Sequence, residues 1–146
     1  MYDEVIKKLQ KFVESVQLDR HFLLTNKILV IMEKFMLLFR GSDVYQPGQA
    51  PEAVQVLKEK MFHWVIGLDD KGVHVASEPL EPIGKQVSGA KMTVTDAPFG
   101  EGRSIIGGCT IVLAKDVHEA VELAKTCPIL ASNASIEVRP VQKAGS

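Results

Sequence analysis

Lys34-Phe35-Met36-Leu37-Leu38-Phe39-Arg40 and Ser104-Ile105-Ile106-Gly107-Gly108-Cys109-Thr110-Ile111-Val112-Leu113-Ala114 are the two stretches that decide the fold. In the first, Phe35, Leu37 and Phe39 point one way, while Met36, Leu38 and Arg40 point the other, because side chains alternate along a strand. The second is apolar on both faces too. A strand of this kind must be covered on both sides, so the two belong in the middle of a sheet. Gly107-Gly108, near the start of the second stretch, predicts a bulge or a close backbone approach.

Working outward, Gly41–Gln49 reads as a loop and is followed by a helix. Pro51 suits the first helical position and Glu52 the positive end of the helix dipole. Val54, Leu57, Met61, Trp64, Val65 and Leu68 share one face, and Lys71-Gly72 forms a C-terminal signal. Val73–Ser77 is expected as a short strand, with Val73 and Val75 on one side and His74 and Ala76 on the other. Glu78–Gly89, with Pro79, Pro82, Gly84 and Gly89, reads as a turn-rich connection, Ala90–Thr95 as a strand, and Asp96–Gly102 as a Pro/Gly loop.

A second helix starts at Asp116, with Glu119 three residues on in capping-box spacing. Val117, Ala120, Val121 and Ala124 form its apolar stripe, and Pro128 lies just beyond its end. Ser135–Val141 alternates as a last strand, and Lys143–Ser146 is a tail.

In order this is β-α-β, a hairpin-like insert, then β-α-β: the split βαβ pattern of an α+β, ferredoxin-like sandwich. Its helices cover one face of the sheet. The other face, expected to bear Met36, Leu38 and His74, needs a cover, and a second copy of the same sheet is the simplest one. The predicted assembly is a homodimer, a dimeric α/β barrel.

Before this core, Tyr2–Leu18 has a helical stripe of Val5, Ile6, Leu9, Phe12, Val13 and Val16, with Asp3 as a cap. Residues 1–31 are therefore set apart as an N-terminal helical extension, and 32–146 as the domain. The extension is either a genuine added helix or an upstream continuation of the reading frame. A chain beginning at Met32 is expected to fold.

Composition narrows the function. At 146 residues one domain is the default, and 46% hydrophobic with 24% charged residues permits a core. A net charge of −1 argues against non-specific nucleic-acid binding, which needs a basic field. No apolar run approaches the roughly 20 residues of a membrane-spanning helix, and the N-terminus lacks the positive start of a secretory signal. Two distant cysteines, Cys109 and Cys127, fit a reduced, cytoplasmic setting. No pair of histidines or cysteines has metal-ligand spacing, so neither a metal nor a cofactor is expected.

Thr95-Asp96-Ala97-Pro98-Phe99-Gly100-Glu101 resembles the TDGPF-x-E signature of the YCII-related, DGPF-type proteins. Phe35-Met36-Leu37-Leu38 resembles that family's opening strand, Gly107-Gly108 its double glycine, Glu119-Ala120 the start of its second helix, and Ile136-Glu137-Val138-Arg139-Pro140 its terminal strand. The resemblance spans about Glu33 to Val141. It implies a ferredoxin-like fold paired as a homodimeric barrel and little about activity. Some members resemble lyases or dehydrochlorinases of small ring-cleavage acids, and others accompany sigma-factor-like regulators. Three departures stand out. Ala97 replaces the motif's Gly, so positive φ there would be costly. Ser104 replaces a common acidic residue. Met61 lies near the place of a histidine that forms half of a proposed His–Asp dyad, so that role does not carry over.

Among candidate chemical groups, His74 with Asp96 is the sharpest pair, since an imidazole oriented by a carboxylate is a competent general base near pH 7. The plainer reading makes Asp96 a turn cap and His74 an interface residue. Glu101 and Arg103 follow the motif, and Arg103 could hold a ligand carboxylate, against a reading as solvated loop. Arg40, at the end of its strand, could clamp an anion. Glu78 is a base or a structural turn residue, and Phe99 completes the motif's ligand-binding candidates. His63 and His118 read as surface residues. Cys127, near a helix C-terminus, reads as a poor nucleophile and Cys109 as a small hydrophobe. The expectation is a module that binds a small anionic molecule in the dimer cleft, or a lyase-like enzyme moving a proton with His74 and Asp96.

Overall fold

The computed structural model describes residues 31–42, 48–97 and 105–145. Residues 1–30 of the N-terminal extension lie outside them, as do Phe99, Glu101 and Arg103. The chain divides between Ile31 and Met32, and the fold is that of the second unit.

Among the described residues six strands and two helices follow in order: β1 (Glu33–Arg40), α1 (Pro51–Asp70), β2 (His74–Pro79), β3 (Lys85–Ser88), β4 (Thr93–Asp96), β5 (Ile106–Ala114), α2 (Val117–Lys125) and β6 (Ser135–Pro140). A short 3₁₀ helix, Pro128–Ser132, links α2 to β6. The main sheet has the order β2-β5-β1-β6 and every pairing is antiparallel. The two doubly apolar stretches are its central strands, as their patterning requires. The α+β architecture is compatible with a ferredoxin-like fold.

The helices cover one face. Phe35, Leu37 and Phe39 of β1 and Val112 and Ala114 of β5 are buried there with Leu68 of α1, Ala120 and Ala124 of α2, and Cys127 and Ile129. Trp64 of α1 meets Phe39 edge-on at 6.4 Å, and its indole N–H donates to Thr126 Oγ1 at 2.8 Å. That bond lets a large amphipathic ring pack at the core's margin with its polar atom satisfied. Asp116 caps α2 by accepting from the Glu119 N–H at 2.9 Å, while Glu119 Oε2 reaches back to the Lys115 N–H at 2.6 Å.

On the opposite face Met36, Leu38, Cys109, Ile111 and Leu113 are half-buried in the single chain. The glycine pair behaves as the sequence predicts. Pairing slips between Phe39 and Arg40, opposite Gly108 and Ile106. A Cβ on Gly108 would stand 2.7 Å from the Glu78 carbonyl oxygen, so the missing side chain is what lets β2 approach.

Three local expectations are corrected. Ala90–Thr95 is not one strand: β4 starts at Thr93 and pairs with β3, which lies inside the stretch read as turns. Gly84 and Gly89, both at positive φ, turn the chain on either side of β3 and leave only a four-residue strand between them. Ala97 is not among the positive-φ residues, so its replacement of glycine carries no backbone strain. The alternation of β2 also fails, because the pairing of β2 with β5 slips between His74 and Ala76. Val75 is the extra residue, and it is 41% exposed. A bulge of this kind turns the residues before it to the other face. His74 therefore sits opposite core residue Val112, on the helix-covered side and not on the open one.

Candidate functional site

The turn between α1 and β2 builds the most organised polar cluster among the described residues. Gly72, at φ 69°, ends α1, and its N–H donates to the Asp69 carbonyl at 2.8 Å. This reversal lays the last turn of α1 beside the first residue of β2. His74 Nδ1 is 2.7 Å from Asp69 Oδ1, and its Nε2 is 2.9 Å from Ser77 Oγ. Ser77 Oγ is in turn 2.9 Å from Thr110 Oγ1. The bulge at Val75 makes this possible, since it brings His74 and Ser77 to the same face although they are three residues apart. Their β5 partners, Val112 and Thr110, both face the helices.

One tautomer satisfies every contact. Nδ1–H donates to Asp69, Nε2 accepts from the Ser77 hydroxyl, and the Ser77 oxygen accepts from Thr110. The His74 side chain is 15% exposed and that of Asp69 57%, so the chain of bonds runs from solvent to the buried Thr110. A carboxylate that fixes the imidazole tautomer leaves Nε2 as the basic atom. The cluster can thus hold α1 onto β2, and it has the order of groups through which an imidazole takes a proton from a hydroxyl.

The open face carries a second group. Arg40 Nε donates to Glu137 Oε2 at 3.1 Å, and Glu137 Oε1 lies 3.7 Å from Arg139 Nη1. Glu137 pairs across the sheet with Leu38, so this ion group borders the half-buried apolar patch. Glu78 is exposed and faces Cys109 on the same side, beyond β5.

The sequence-derived candidates therefore separate. Arg40 and Glu78 share the open face. His74 bonds to Asp69 and Ser77 behind the sheet. Asp96 ends β4 and forms an ion pair with Lys85 across the hairpin. Phe99, Glu101 and Arg103 lie outside the described residues. Asp69, Ser77, Thr110 and Glu137 are the residues that sequence reasoning missed. Asp69 had a signal: a helix-ending glycine reverses the chain and returns its last turn to the next strand. Ser77 had none, because only the bulge aligns it with His74.

Cys127 is buried with its thiol 3.6 Å from Met61 Sδ. Burial pushes its pKa up to about 11, against a smaller downward effect of a backbone hydrogen bond from Ile129. Such a thiol is no nucleophile at neutral pH. No group of three or more potential metal ligands occurs among the described residues, and no helix there is long and apolar enough to cross a membrane.

A family model described as YCII-related domain matches residues 34–144. No curated protein matches the chain.

Proposed function

The chain belongs to the YCII-related domain family, and on that premise we propose that it is a homodimer binding a small acidic molecule in a cleft at its open sheet face. The observation that carries the proposal is the half-buried apolar patch of Met36, Leu38, Ile111 and Leu113 with the Arg40–Glu137 group at its margin. An apolar patch rimmed by polar groups marks an interaction surface, and a ligand cavity joins such walls to a few placed charges. Arg40 carries a planar guanidinium, the group whose fork of N–H donors matches the geometry of a carboxylate. Calorimetry with a panel of small mono- and dicarboxylates tests the reading. At least one acid binds the wild type, and Arg40→Ala weakens that acid by roughly tenfold or more. Equal binding by both proteins would exclude Arg40 as the anchor, and no binding by the wild type would end the proposal.

A second reading, a lyase-like enzyme moving a proton on a small organic acid, is favoured by one specific observation: the imidazole of His74 is bonded to a carboxylate. In this structure that carboxylate is Asp69 and not Asp96. Turnover of chlorinated or unsaturated small acids that is lost in His74→Gln and in Asp69→Asn, but kept in Asp96→Asn, would establish it.

A further inference from the structure

We infer that Ser77 is a nucleophile, activated by His74 and oriented Asp69, that takes the acyl group of an activated ester of a small carboxylic acid at the free edge of β2. The inference goes beyond ligand binding at the open face and needs no second copy of the chain. It shares its imidazole with the lyase-like reading, but a lyase forms no acyl-enzyme, so experiment separates the two. The first observation is the bonded series itself. Asp69 Oδ1 is 2.7 Å from His74 Nδ1, and His74 Nε2 is 2.9 Å from Ser77 Oγ. In that order a carboxylate orients an imidazole and the imidazole takes a hydroxyl proton. The buried Thr110 hydroxyl, 2.9 Å from Ser77 Oγ, donates to it and so leaves the Ser77 proton for Nε2.

The second observation is position. Among the described residues β2 pairs with β5 alone, so its other side is a free edge. Ser77 is half-buried and not sealed in the core. The third is the direction of the backbone. The Leu80 N–H donates to the Gly107 carbonyl at 3.0 Å, and the Glu78 carbonyl oxygen lies toward Gly108. Backbone groups alternate in direction along an antiparallel strand. Those of Glu78 and Leu80 therefore face β5, and those of Ser77 and Pro79 face the free edge. Proline, with no N–H to give a ladder, suits that side. The Ser77 N–H is thus a donor outside the sheet, carried by the same residue as the hydroxyl, where it can meet an oxyanion formed beside Oγ.

The steps follow from these groups. As Ser77 Oγ bonds to the acyl carbon, its proton passes to His74 Nε2 and the carbonyl electron pair moves onto oxygen, beside the Ser77 N–H. Collapse breaks the bond to the leaving alkoxide or phenolate, which takes the proton from Nε2. Water then attacks the acyl carbon, giving a proton to Nε2. The bond to Ser77 Oγ breaks, Oγ recovers that proton, and the free acid leaves. Ester and water alone balance the atoms and electrons. Asp69 is a positioning residue here: it holds the proton of the imidazole on Nδ1 and keeps Nε2 basic.

The test treats the full chain with p-nitrophenyl acetate, follows nitrophenolate release and maps the acetyl group by peptide mass. The wild type releases a burst and carries acetyl on Ser77. Ser77→Ala loses both, and His74→Gln slows acylation roughly a hundredfold or more. Asp69→Asn slows acylation of the folded protein at unchanged KM, and Asp69→Glu, which keeps a carboxylate for Nδ1, recovers part of the rate. Acetyl found only on lysines or the N-terminus, or none at all, overturns the inference, as does a burst unchanged in Ser77→Ala. If Ser77→Ala fails to fold, the map of the wild type decides alone. Failure of carboxylates to bind at Arg40 would sink the ligand reading and leave this one standing.

Discussion

His74 and Asp69 are bonded at 2.7 Å across the turn that joins α1 to β2, so the imidazole ties the last helical turn to the edge strand of the sheet. Removing either end of the chain of bonds through His74 should loosen the same joint. Asp69→Ala and Ser77→Ala are each expected to cost about 1 kcal/mol, the net worth of one hydrogen bond. The double variant should cost less than the sum, since both act through one ring. Urea denaturation of the three proteins checks this, and strict additivity would show that His74 does not couple them.

Cys127 sets an alkaline limit. Its thiol is raised from 9.0 to about 11 by burial. Below pH 9 the thiol is protonated in both folded and unfolded chains, and its full contribution is present. Between 9 and about 11 the unfolded chain loses the proton first, so stability falls as pH rises through that window, by roughly 3 kcal/mol in all. In Cys127→Ala the slope of stability against pH in this window should be smaller by about one proton. An unchanged slope would place the alkaline loss elsewhere.

Two glycines should respond in opposite directions to alanine. Gly108, at φ 152°, has no room for a Cβ against the Glu78 carbonyl and Pro79, and Gly108→Ala should destabilise by about 2–3 kcal/mol. Gly67 lies inside α1 with open space around it. Gly67→Ala should stabilise by about 0.5–1 kcal/mol through helix propensity and the unfolded chain. Thermal melts of both variants suffice, and a neutral Gly108→Ala would mean that β2 can shift away from β5.

Asp96 and Lys85 face each other on the exposed hairpin, with side chains 76% and 68% accessible. Such a pair is screened by water and contributes little. Asp96→Asn should change stability by less than about 0.5 kcal/mol in denaturant titration. A loss above 1 kcal/mol would require that Asp96 also holds backbone N–H groups of the motif loop.

The strand patterns of Lys34–Arg40 and Ser104–Ala114, the proline entry and glycine exit of α1, the Asp116 cap and the double glycine are local features. Alternation, helical period and cap chemistry depend on neighbours in sequence, so these elements, the central place of β1 and β5, and the α+β class were legible from the residues. The partner of His74 was not. Its side of the sheet depends on one extra residue in the pairing of β2 with β5, and register is set between strands distant in sequence. That slip at Val75 turned His74 from the open face toward α1, gave it Asp69 and Ser77, and left Asp96 on a hairpin with Lys85. The amino-acid sequence determined which residues could do chemistry; strand register, which only the folded sheet fixes, decided which of them meet.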